Sequence, residues 1–154
     1  METVRLHLML NYYPVIGMVI GVIFMLGGLW LRSDRVKQIS LKIFFVTAVI
    51  ALPAFVSGEI AGKAASYPEP NAAALTTHKE SARMTIVVVE ATGIAALIGL
   101  MLYRRESDLV KWFVLAVLLL SLTSSVLVGY TTHLGRQVKW AIPTSSIGKP
   151  GDIR

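Results

Sequence analysis

The chain has 154 residues, of which 55% are hydrophobic and only 16% are charged, and its formal net charge is +6. Soluble domains carry about 25% charged residues, so this composition excludes an ordinary soluble fold and predicts an integral membrane protein. Cysteine is missing from the sequence, which excludes disulfides, thiolate metal sites, iron–sulfur clusters and haem attachment through a CxxCH motif.

Four predominantly apolar segments, each about 20 residues long, match the length that a helix needs to cross a bilayer. Lipid cannot satisfy the backbone groups of an unpaired strand, so helices are expected. We predict an all-α fold, an integral membrane four-helix up-down-up-down bundle that forms a single domain without a convincing internal repeat. The predicted segments are spans at 12–31, 43–61, 84–103 and 112–131, a non-cytoplasmic loop at 62–83 and an irregular C-terminal tail at 134–154. Within the loop, the chain can become helical again from Ala72 and extend the third span outward.

Basic residues are concentrated in the two short connections that follow the first and third spans. Seven cations lie within 32–42 and 104–111, and the positive-inside rule places such connections in the cytoplasm. We therefore expect both termini on the non-cytoplasmic side of a bacterial inner membrane. The remaining cations form no basic block, so the predicted partner of these charges is the lipid headgroup layer and not nucleic acid.

All three histidines are expected at the non-cytoplasmic end of the bundle. His7 precedes the first span, His78 precedes the third and His133 follows the fourth, within about 10 Å of the hydrocarbon boundary. Two imidazoles from facing helices can ligate a b-type haem, and the favoured pairs join His7 or His78 to His133. The alternative is that each histidine is a solvated interfacial residue.

Three further polar residues are candidates for supporting roles. Asn11 lies one helical turn after His7, and Glu59 lies near the end of the second span, at the same level. Glu90 lies inside the third span, where an ionisable group is costly and therefore indicates a function. A protonated Glu90 would serve a proton path or a quinone headgroup, or would join helices as a polar contact. Its expected hydrogen-bond partners are Ser121, Ser124 and Ser125.

Other motifs indicate packing and exclude several enzyme classes. Gly17 and Gly21 form a small-xxx-small motif, which permits close helix approach inside the bundle or to a partner. The sequence has no HExxH or His-x-His motif, carboxylate cluster, nucleophile elbow or phosphate-binding loop, so hydrolytic metal sites and nucleophile triads are not indicated. The chain is not expected to be an enzyme on its own.

Residues 7–14, HLMLNYYP, resemble the opening of a bacterial family of uncharacterised four-helix membrane proteins, whose first helix begins with a His-Pro-x-Leu-Val-His-Phe-Pro pattern. His7 and Pro14 match this pattern, whereas Tyr12 stands at the family's second histidine. The resemblance covers almost the whole chain and implies a domain that binds b-type haem and is linked with electron-transfer systems. Further similar positions are Ser57-Gly58-Glu59, His78 and Gly135.

Two functions follow from the sequence. The first is an integral membrane subunit of a respiratory or photosynthetic electron-transfer system. This subunit would bind b-type haem or serve quinone at the non-cytoplasmic face through His7, His78 and His133. The second is a non-catalytic accessory subunit that docks on a larger membrane complex. Both readings expect the lipid bilayer and other membrane protein subunits as partners.

Overall fold

The computed structural model describes His7 and residues 9–64, 71–105 and 110–138. These residues form four α-helices and no strand, which confirms the all-α four-helix prediction. All four helices are long and apolar enough to cross a bilayer, with mean hydropathies of 1.9 to 2.2, so the chain is a multi-pass membrane protein. The helices are α1 (Tyr12–Trp30), α2 (Asp34–Ala64), α3 (Asn71–Arg104) and α4 (Val110–Gln137).

The helices extend beyond the predicted spans at the end that carries the histidines. Much of the loop predicted at 62–83 is helical, because α2 continues to Ala64 and α3 begins at Asn71. The tail predicted from residue 134 begins later, because α4 continues to Gln137. A helix satisfies its own backbone hydrogen-bonding groups, so it can continue beyond the edge of the lipid. Residues 65–70, 106–109 and 139–154 of the predicted connections and tail lie outside the described residues.

The helices pack in the order of the chain. α1 contacts α2, α2 contacts α3 and α3 contacts α4, and α4 closes the bundle by packing on α1. The largest buried side chains in the interior include Met18, Met25, Phe44 and Val117. Many large apolar side chains elsewhere on the four helices are exposed, and lipid is their expected environment.

Small residues allow close contact between neighbouring helices. Gly17 of α1 lies directly against Thr47 of α2, and Gly21 lies against the ring of Phe44. Ser40 also donates a hydrogen bond of 2.8 Å to the carbonyl of Gly21. The small-xxx-small motif therefore packs inside the bundle, because both of its glycines contact side chains of α2.

The two halves of the chain repeat the same buried pattern, although the sequence shows no convincing repeat. The buried positions of α1 alternate by four and three residues, the spacing of a bundle interior, and each has a buried counterpart in α3 at a constant separation. These pairs are Pro14 and Thr85, Met18 and Val89, Gly21 and Thr92, Met25 and Ala96, and Gly28 and Gly99.

The same correspondence holds between α2 and α4. The matching buried positions there are Ser40 and Val117, Phe44 and Ser121, Thr47 and Ser124, Ala51 and Val128, Ala54 and Thr131, and Ala61 and Val138. The α1–α2 hairpin thus corresponds to the α3–α4 hairpin, as expected for two units related by an approximate two-fold axis along the bundle. A repeat in burial can exist without a repeat in residue identity, because only size and polarity decide which side chains fill an interior.

Candidate functional site: two buried histidines

His7 is held against α2 at the entrance to α1. It lies in a helical turn in which the backbone N–H of Asn11 donates to the carbonyl of His7 at 2.9 Å. Its side chain is only 6% exposed, and Nδ1 lies 3.0 Å from the carbonyl oxygen of Ala54. A carbonyl can only accept, so Nδ1 carries the hydrogen and the neutral ring has its lone pair on Nε2. Ser57 Oγ, 3.5 Å from Nδ1, donates to the same carbonyl.

His78 is held against α4 in the same way. Its side chain is also 6% exposed, and its Nδ1 lies 3.0 Å from the carbonyl oxygen of Thr131. The hydroxyl of Thr131 bonds to Ser81 at 2.6 Å and to Thr85 at 2.7 Å. Thr131 thus connects α3 and α4 through both its backbone and its side chain. The lone pair of neutral His78 is on Nε2, as in His7.

The two imidazoles lie close to each other across the bundle. Their ring centroids are 6.5 Å apart and their planes are inclined by 62°. His7 precedes α1 and is held by α2, whereas His78 belongs to α3 and is held by α4. All four helices therefore take part in fixing one pair of rings, and each half of the chain supplies one of them.

Two cavities border the histidine pair. The inner cavity, of about 70 Å³, lies between all four helices, and much of its wall is formed by short or apolar side chains. The outer cavity, of about 110 Å³, lies between the start of α1, α3 and the end of α4. His7, His78 and Asn11 line both cavities. A water molecule occupies roughly 30 Å³ in the liquid, so the inner space has the size of a few waters.

Two charged side chains form part of the inner cavity wall where α2 meets α3. Glu59 and Lys79 line it, and Arg83 Nη2 lies 3.4 Å from Glu59 Oε1. The side chain of Lys79 lies against Gly62 of α2, so close that a Cβ added at Gly62 would be 2.8 Å from Lys79 Nζ. Asn11 and Glu59, both predicted as supporting groups, therefore lie beside the histidine pair.

His133 does not join this pair. Its side chain is exposed, and its Nε2 lies 3.2 Å from Nε2 of Gln137, an amide that donates the bond. A helix turns by about 100° per residue, so two residues beyond Thr131 the side chain points away from the interior. The expected pairing of His7 or His78 with His133 is therefore not found, and His7 pairs with His78 instead.

Glu90 also lies apart from the histidines, roughly 18 Å further along α3 than His78. Its Oε1 is buried and has no hydrogen-bond partner among the described residues. The serines expected to bind it form other hydrogen bonds, so those contacts to Glu90 are not found. Ser124 bonds to Thr92 at 2.9 Å, Ser121 donates to the carbonyl of Leu118, and Ser125 donates to the carbonyl of Ser121.

Acid should loosen the His7 contact. Burial lowers the pKa of His7 from its usual value of 6.5, and the hydrogen bond to Ala54 offsets only part of this effect. The unfolded chain therefore binds a proton at a higher pH than the folded chain, so the His7 contribution to stability is present above about pH 6.5 and is lost as the pH falls. The ionisable groups that share its cavities are His78, Glu59, Lys79 and Arg136.

The measurement is the unfolding midpoint in mild detergent between pH 8 and pH 5. The wild-type protein should lose stability across this range, and a His7→Gln variant should show a shallower decline. A His133→Gln variant is the matched control, because its ring is exposed, and it should follow the wild-type curve. If the unfolding midpoint declined equally with pH in wild type and in His7→Gln, His7 would not be the source of the acid sensitivity.

Comparison with known proteins adds no relative. No family model matches the chain, and neither a curated protein nor a solved structure shows a significant match. The resemblance to the bacterial four-helix family therefore stays a prediction.

Proposed function

We propose that this chain is an integral membrane subunit of an electron-transfer system and that His7 and His78 would hold the iron of a b-type haem. One observation carries the proposal: two buried imidazoles from opposite halves of the bundle lie 6.5 Å apart, each oriented by a backbone carbonyl of a neighbouring helix. Histidines that ligate metals usually donate their other ring N–H to such a carbonyl, which fixes the tautomer.

The donor set suits haem better than a bare metal ion. Two imidazoles whose ring centroids lie 6.5 Å apart are near enough to hold one metal ion between them, since the usual nitrogen–metal distance is about 2.0 Å. Among the described residues, no group of three or more histidine, cysteine, aspartate or glutamate side chains can hold a metal ion. A porphyrin would supply the other nitrogen ligands of its iron, so His7 and His78 would be the only ligands needed from the protein.

The space around His7 and His78 determines how far side chains must move to admit a haem. A porphyrin is larger than the 70 Å³ inner cavity, so side chains at its edge must move outward to admit the macrocycle. Phe55 and Lys79 are among the long side chains in that wall, whereas Ala51, Ala54 and Ala82 are short. Moving flexible side chains is less costly than separating packed helices.

The residues of this chain would tune a bound haem. The haem itself supplies one-electron redox chemistry. His7 and His78 would hold the iron, the carbonyls of Ala54 and Thr131 fix the tautomer of each imidazole by accepting from Nδ1–H, and the apolar part of the wall would lower the local dielectric. We place this site at the non-cytoplasmic face of a bacterial inner membrane, with other membrane subunits as redox partners, because the basic connections lie at the opposite end of the bundle.

A visible absorption spectrum of the purified protein tests the proposal. The protein, purified from cells supplied with a haem precursor and also titrated with haemin in detergent, should show a Soret shift and a sharp α-band on reduction. A stoichiometry near one haem per chain is expected. A colourless protein that takes up no haemin and purifies with a larger membrane assembly would contradict the haem proposal and favour a non-catalytic accessory subunit.

A further inference from the structure

We infer that Gly58 and Gly135 are positioning residues that set the orientation of His7 and His78, and that each half of the chain contains one copy of the same imidazole-holding unit. In each copy a helix presents a carbonyl oxygen to Nδ1 and, one turn later, a glycine to the ring. The carbonyls belong to Ala54 and Thr131. The glycines are Gly58 and Gly135.

The glycines lie where a larger residue would collide with the rings. A Cβ at Gly58 would lie 2.7 Å from Cε1 and 3.0 Å from Nδ1 of His7. A Cβ at Gly135 would lie 2.9 Å from Cε1 and 3.3 Å from Nδ1 of His78. Residues four apart share one face of a helix, so the carbonyl and the glycine form a single surface against which the ring lies.

Space, and not backbone conformation, explains the glycines at these positions. No glycine among the described residues has a positive φ, so any residue could adopt the helical backbone at 58 and 135. A glycine inside a helix costs about 1 kcal/mol relative to alanine. Alanine at position 58 or 135 should therefore stabilise the helix, but its methyl group would collide with the ring of His7 or His78.

The imidazole is the part that must move when alanine is introduced. The ring turns about single bonds, whereas the backbone of α2 or α4 is fixed by its helical hydrogen bonds and by packing. A displaced ring loses the 3.0 Å contact between Nδ1 and the carbonyl oxygen. Each substitution should disturb one histidine alone, because Gly58 meets the ring of His7 and Gly135 meets the ring of His78.

Nitrogen NMR of histidine-labelled protein without haem tests this inference directly. The chain has three histidines, so wild type should give signals from three imidazoles, assigned by single His→Gln substitutions. Gly58→Ala should remove the hydrogen-bonded Nδ1–H signal of His7 and keep that of His78. Gly135→Ala should do the reverse, and His133 should remain unchanged in both variants.

Gly129→Ala is the matched control, because Gly129 is exposed on α4 and a Cβ there would meet no other side chain within 4 Å. All three imidazoles should keep their wild-type signals in this variant. Wild-type Nδ1–H signals in both Gly58→Ala and Gly135→Ala would overturn the inference. Circular dichroism and a cooperative unfolding transition check that each variant is folded.

The consequence for a ligand rests on the function proposed above. With haem bound, Gly58→Ala and Gly135→Ala should each convert part of the low-spin spectrum to a high-spin form, because one axial imidazole is misplaced. The two proposals fail separately. A wild-type protein that takes up no haem but shows the expected NMR changes refutes the haem site alone, and a haem protein with unchanged imidazole signals in both variants refutes the role of the glycines alone.

Discussion

Replacement of His7 or of His78 by alanine is expected to lower haem affinity by more than about 100-fold, because loss of a partner that only orients a metal ligand already costs about 10- to 100-fold. Replacement of His133 should leave the affinity unchanged, since its ring is exposed and does not belong to the pair. The measurement is a haemin titration of each purified variant, followed by its Soret absorbance.

The near symmetry of the two halves sharpens this prediction. Both rings are equally buried and equally bonded to a carbonyl at 3.0 Å, so His7→Ala and His78→Ala should have effects of similar size. Exogenous imidazole should restore part of the low-spin spectrum in either variant, because it can enter the space left by the ring. Loss of haem in His133→Ala together with retention in His7→Ala would show that a different pair is used.

Substitution of Gly21 by leucine is expected to lower the free energy of unfolding by about 3 kcal/mol, the upper end of the usual cost of overpacking. A side chain at this position would collide with the ring of Phe44, which is fully buried in the interior of the bundle. The substitution would also push α1 away from Ser40, whose hydroxyl donates to the carbonyl of Gly21. The hydrophobic effect contributes little to the association of helices that already lie in lipid, so side-chain packing is the main interaction that holds these helices together.

Gly27→Leu in the same helix is the matched control. A Cβ at Gly27 would meet no other side chain within 4 Å, so leucine there should project into lipid without loss of stability. The measurement is unfolding in mixed micelles with increasing denaturing detergent, followed by circular dichroism and by tryptophan fluorescence. Equal stabilities of the two variants would show that the α1–α2 contact at Gly21 is looser than described.

The apolar segments of the sequence are sufficient to predict the number and type of the helices. A bilayer requires about 20 apolar residues for each crossing and lets no unpaired strand remain. The helix ends are less predictable from apolarity, because α3 begins at Asn71, well before the apolar stretch from residue 84. A helix that satisfies its own backbone can continue into water after its apolar residues end.

The sequence also places His7, His78 and His133 at one end of the bundle, because the direction of each span follows from the alternation of crossings. That alternation does not determine which side of its helix each side chain lies on. His78 faces the interior and His133 faces outward, although both lie near helix ends. The interior face depends on which residues of four helices interlock, and that is a property of the packed bundle.

The family resemblance marks Gly58 and Gly135 as positions, but the sequence does not show that they contact imidazoles or that the carbonyls of Ala54 and Thr131 accept from those rings. A backbone carbonyl is present at every residue, and a glycine in a helix looks the same whether it faces lipid, like Gly129, or an imidazole, like Gly135. Composition and the length of the apolar segments by themselves determined a four-helix membrane protein. Only the tertiary structure decided which two histidines meet, because the meeting depends on the rotation and separation of helices from both halves of the chain.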